Sequence, residues 1–152
     1  MKTFCFKLHN NTLGYNYTVN KFIRNHNPYC TFCTISREPE DERETPYHIF
    51  FSCRHTERIY ENFFRTFLGA GYEEMTRINY FGGFDSDNVC RNLCLNIVSF
   101  LFKFYIWTCK LRFRLPGEEE SVDFVKSHIS NFFSLNRNFR ETWTKSGINL
   151  RF

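Results

Sequence analysis

Cys30, Cys33, His48 and Cys53 occur in the pattern Cys-x2-Cys-x14-His-x4-Cys. Three thiols and one imidazole at such spacing form the donor set of a closed Cys3His zinc site. A Cys-x2-Cys bend lets two sulfurs face one ion, and the His-x4-Cys segment supplies a second pair from the opposite side. Four protein ligands complete a tetrahedron and leave no position for a reactive water. The expected cofactor is therefore one structural Zn2+, not a catalytic one. His26 and His55 lie close enough in sequence to replace His48, but the spacing favours His48.

Other chemistry is sparse. The chain carries neither a P-loop nor a plausible Ser–His–Asp array, and no acidic nuclease set with its lysine. Asp85-Ser86-Asp87 sits in a glycine-rich stretch without the hydrophobic hairpin of a polymerase aspartate pair. The acids of Glu38–Glu44 read as a solvated loop between the ligand pairs. These features predict a protein that is not an enzyme and has no small-molecule substrate.

The elements that must position the ligands read as mainly α. Phe4–His9 suits a helix or an extended arm, and Thr18–Arg24 a short helix leading to an extended entry at Pro28. Ile59, Phe63 and Phe67 repeat at four-residue steps, which predicts an amphipathic helix from about Thr56 to Leu68. Asp87 or Asn88 can cap a long buried helix over about 88–115, ended by Pro116-Gly117. Glu118–Glu120 favour the start of another helix through its dipole, and a short one is expected around Phe139–Trp143. The expected organisation is a zinc-knuckle module with flanking helices over 1–70, a loop over 71–87, and a C-terminal helical region over 88–152 packing on it.

Composition narrows the function classes. The 152 residues include 20 Phe and are 42% hydrophobic, enough for a core. Base composition alone can enrich Phe, so its abundance does not define a stacking surface. Net charge is only +4, yet no acid precedes Glu38 and none lies between Asn88 and Gly117. Such segregation can give a near-neutral chain a positive face for RNA or single-stranded DNA. The apolar run Leu93–Cys109 is interrupted at Asn96, Ser99 and Lys103, which suits a buried helix with a polar stripe better than a membrane span. Met1–Asn11 lacks an apolar signal core, so the expected location is intracellular, nuclear or cytoplasmic, and Cys5, Cys90, Cys94 and Cys109 are expected as buried small hydrophobes.

One resemblance adds to this. Cys30-Thr31-Phe32-Cys33, followed by Glu44-Thr45-Pro46-Tyr47-His48-Ile49-Phe50-Phe51-Ser52-Cys53, resembles the zinc-binding region after the reverse-transcriptase domain in LINE-type (non-LTR) retrotransposon polyproteins. Phe6–Leu13 is similar to the segment leading into that region. Tyr105-Ile106-Trp107-Thr108-Cys109-Lys110-Leu111-Arg112 is similar to an aromatic and basic segment near those polyproteins' C-termini. The likeness covers about residues 4–68 and, more weakly, 95–115; the Trp common after the last Cys is replaced by Phe63 and Phe64. It implies a non-catalytic, nucleic-acid-handling zinc module without its polymerase. Lys2, Lys7, Lys21, Arg24, Arg112 and Arg114 are expected to contact phosphates, with Tyr29 and Phe32 able either to stack on bases or to pack around the metal. The alternative is a zinc-stabilised protein–protein module that dimerises or recruits a partner.

Overall fold

The computed structural model describes residues 2–9, 12–37, 42–68, 80, 83–85 and 87–148. Among them the chain is helical, without a strand, apart from one antiparallel bridge between Tyr29 and Arg43. The helices are α1 (Lys2–His9), α2 (Asn16–Asn20), α3 (Thr31–Ser36), α4 (Arg54–Leu68), α5 (Val89–Leu111), α6 (Glu118–Leu135) and α7 (Arg137–Ser146), with a π-helical turn at His48–Ser52. The mainly α expectation holds, with the Cys/His cluster carried on short segments.

The helix boundaries follow from local chemistry. In α4, Ile59, Tyr60, Phe63, Phe64 and Phe67 are buried while Arg58, Glu61, Asn62 and Arg65 are exposed, the two faces of a 3.6-residue period. Asn88 caps α5 by accepting the Arg91 N–H at 2.9 Å. The helix stops at Leu111, four residues before the expected Leu115. Phe113 turns left-handed (φ 50°), its N–H reaches the Lys110 carbonyl, and the Arg114 N–H reaches the Cys109 carbonyl. This is a Schellman closure made without the usual glycine. Asn136 caps α7, accepting from the Phe139 N–H.

The chain forms two compact units: Met1–Arg58 with Ile106–Pro116, and Ile59–Tyr105 with Gly117–Phe152. The division passes through α4 and α5; of the expected 71–87 loop only 80, 83–85 and 87 are described. The first unit buries Leu13, Tyr15, Phe32, Ile49, Phe50 and Trp107. Trp107 meets the Tyr15 ring edge-on at 5.5 Å and Phe4 at 6.3 Å. The second unit is organised on Phe102, with Phe63 at 4.4 Å, Phe64 at 5.4 Å and Tyr60 at 6.2 Å.

The polar stripe of α5 is itself largely buried. Ser99, Lys103 and Lys110 are nearly inaccessible, and each finds a carbonyl: Ser99 and Lys103 donate to Tyr80, and Lys110 to Gly14. Asn96 accepts the Phe84 N–H at 2.9 Å. Val89–Leu111 is long and apolar enough to cross a membrane, and half of its most apolar window is buried.

Candidate metal centre

The site begins with an extended entry. The Cys30 N–H donates to the Glu42 carbonyl at 3.0 Å, and the Glu44 N–H to the Pro28 carbonyl at 2.9 Å. Cys30 then occupies the N-cap position of α3, and Cys33 lies in its first turn. This brings both sulfurs to one side of a short helix.

His48 and Cys53 reach the same point by a different device. In an α-helix, residues five apart point about 140° away from each other. Here the Cys53 N–H bonds to the His48 carbonyl at 2.7 Å, an i→i+5 turn, and Cys53 itself is extended. The π-turn accommodates the x4 spacing.

The four donor atoms lie within 4.8 Å of one another, all on buried residues, and could hold a metal ion. Cys53 Sγ stands 3.8 Å from both Cys30 Sγ and Cys33 Sγ, and Cys33 Sγ stands 3.5 Å from His48 Nε2. A disulfide would need about 2.0 Å, so the cysteines are free thiols. His26 and His55 are engaged elsewhere, at Asn16 Oδ1 (3.3 Å) and Ser36 Oγ (3.0 Å).

The hydrogen bond to Cys53, and then burial, push the Cys30 thiol up. For His48 burial acts downward, but Cys30 and Glu42 outweigh it and the net shift is upward. Glu42 Oε2 lies 2.5 Å from His48 Nδ1. That carboxylate stands behind the ring while Nε2 faces the sulfurs, the outer-shell position usual behind a metal-bound histidine. Nothing local in the sequence marks Glu42 for this role.

Behind the cluster sits Glu44, fully buried and not solvated as its acidic neighbourhood suggested. One oxygen accepts the Thr31 N–H (2.9 Å) and hydroxyl (2.7 Å). The other accepts the Asn16 N–H (2.9 Å) and pairs with Lys110 Nζ (2.6 Å). Lys110 also lies 4.3 Å over the Trp107 ring. Thus Glu44 and Lys110, 66 residues apart in sequence, tie α3, α2 and the end of α5 together within the first unit.

The expected nucleic-acid contacts divide on exposure. Lys7, Lys21, Arg24 and Arg112 are exposed, Arg114 is half-buried, and Tyr29 is 40% exposed. All belong to the first unit. Phe32 is corrected: its ring is wholly inaccessible, so it packs in the core and presents no face to a base. Lys2 lies in α1, its side chain outside the described residues.

No protein-family model, curated protein or solved structure matches this chain.

Proposed function

We propose that the chain is a non-catalytic zinc module, akin to the region that follows the reverse transcriptase in LINE-type retrotransposons, and that it binds RNA or single-stranded DNA. The Glu44–Lys110 pair is the observation that carries this reading. It joins the cysteine–histidine segment to the Tyr105–Arg112 segment, the two stretches on which the resemblance rests, with Trp107 packed on Tyr15 beside it. The cysteine–histidine segment and Ile106–Arg112 fold here as parts of one unit.

We infer zinc because the distances suit a tetrahedral ion of its size. Two sulfurs each about 2.3 Å from a tetrahedral ion stand about 3.8 Å apart, and a sulfur and an imidazole nitrogen about 3.5 Å apart. The cluster has two S···S distances of 3.8 Å and an S···N distance of 3.5 Å. Cys30, Cys33, His48 and Cys53 would hold the ion with every position filled, so it would supply folding free energy and no activated water.

The test is metal analysis joined to binding. Purified protein should contain one zinc per chain, and its affinity for a labelled unstructured RNA or DNA 20-mer should fall steeply from 50 to 300 mM salt. A flat response, or no binding at micromolar protein, refutes the nucleic-acid part. Exposed Leu111, Phe113 and Leu115 in the first unit favour a second reading, a protein–protein module. Self-association in sedimentation with no nucleic-acid binding would select it.

A further inference from the structure

The most exposed large apolar side chains of the first unit include Phe22 (84%) and Ile23 (57%), in the turn that follows α2. They are flanked by two exposed cations in the order Lys21-Phe22-Ile23-Arg24. Apolar residues at a turn tip ordinarily fold inward, and here polar side chains hold the turn from inside. Asn20 donates to the His26 carbonyl, His26 Nε2 meets Asn16 Oδ1, and Asn25 takes a left-handed φ of 68°. Asn16 Nδ2 in turn donates to the Tyr29 carbonyl at 2.8 Å and the Thr31 hydroxyl at 3.1 Å. The tip is therefore anchored to the cysteine-bearing segment.

The adjoining surface is cationic and aromatic. Lys21 Nζ lies 4.6 Å from the centre of the Tyr17 ring and the Arg43 guanidinium 5.2 Å from it. Arg43 pairs with Tyr29 across the antiparallel bridge, which puts those two side chains on one face. The described carboxylates nearby turn elsewhere, Glu42 to His48 and Glu44 to Lys110. Among the described residues neither Lys21 nor Arg24 forms an ion pair.

We propose that this turn is the nucleic-acid grip: Phe22 stacks on a base of a single strand while Lys21, Arg24 and Arg43 hold the flanking phosphates. The assignment rests on the nucleic-acid reading above and narrows it to one surface. A flexible strand suits the geometry because an unpaired base offers a face to a protruding ring, and stacking between cations tolerates any sequence. Charge complementarity selects the polyanion over an apolar partner surface, and Phe22 replaces the buried Phe32 as the stacking residue.

The zinc-loaded full chain is titrated against a fluorescein-labelled oligouridine 20-mer and the matching DNA at several salt concentrations. Phe22→Ala should weaken binding roughly tenfold and leave the salt slope unchanged. Lys21→Ala/Arg24→Ala should reduce that slope by about 1.4, since each phosphate contact on a single strand contributes about 0.7. Phe22→Trp should keep the affinity, and its emission should be quenched by the strand. Zinc content and circular dichroism of each variant establish that the fold persists. Wild-type binding that Phe22→Ala and the double variant leave intact overturns the grip while sparing the nucleic-acid reading. Absence of wild-type binding overturns both. Capture by phosphatidylserine vesicles that depends on Phe22, without strand binding, assigns the turn to a bilayer instead and also overturns the grip.

Discussion

Replacing Glu44 by glutamine removes a charge and almost no volume, yet it should destabilise the first unit severely. All four groups around the carboxylate donate: the Asn16 and Thr31 N–H groups, the Thr31 hydroxyl and the Lys110 ammonium. An amide has one accepting oxygen, so whichever way it is turned its NH2 faces a donor. Lys110 is 7% exposed and would lose the negative charge it faces, keeping the Gly14 carbonyl at 2.7 Å and the Trp107 ring. Breaking a buried ion pair from one side typically costs about 3–5 kcal/mol. We expect about 4 kcal/mol for Glu44→Gln, at the middle of that range because the carbonyl and ring still shield the lysine. Lys110→Met should cost less, about 2 kcal/mol, because three donors remain on the carboxylate. The double variant should fall short of the sum by about 2 kcal/mol, since each single change strands a charge that the other removes. Urea titrations of the four proteins, zinc-loaded and followed by circular dichroism, measure this cycle. A Glu44→Gln loss below about 1 kcal/mol, or a coupling near zero, would refute the reasoning that this pair ties the unit together.

Glu42→Ala should keep the fold and weaken metal binding about 10–100-fold, read by competition with a chromophoric chelator; unchanged affinity would remove Glu42 from the outer shell. Cys30→Ser, or chelation of the wild type, should withdraw folding free energy on the order of 10 kcal/mol from the first unit. Hydrogen exchange should then lose protection over His48–Cys53 and keep it around Phe102, whose unit contains no ligand; protection retained at both places would count against a structural metal. Burial pushes the Lys103 ammonium down to about 8, so above that pH the unfolded chain binds more protons than the folded one. Stability should therefore rise between pH 8 and the ordinary lysine range, by about 2 kcal/mol from pH 7.5 to 9.5. Lys103→Met should lack that rise, and parallel pH profiles for the two proteins would refute it.

The candidate cluster was legible because a metal site would constrain residue type and spacing together, and the same four residues do meet in space. Helix existence was legible for a related reason, since the buried faces of α4 and α5 recur with the helical period. What escaped was decided by distant partners. Glu44 stands at the end of an acidic run that reads as solvent-facing, and its burial depends on donors from Asn16 and Thr31 and on Lys110, brought back by α5. The end of α5 was misplaced because a Schellman closure normally advertises itself with glycine, whereas here Phe113 adopts the left-handed conformation. Pro116-Gly117, a stronger signal, lies beyond the true end.

The two phenylalanines of the first unit show why residue type alone could not locate a binding surface. Phe32 lies between two ligands, where a ring can either stack on a base or cover the metal, and the short α3 turns it inward to complete burial. Phe22 follows a five-residue helix and has no apolar partner within its own turn. Its exposure depends on side chains at Asn16, Asn20 and His26 holding the backbone, a set of polar contacts that no hydrophobic pattern encodes. The buried ring adds to the stability of the site, and the exposed one is available for recognition. Which of the two rings is left exposed is set by those hydrogen bonds.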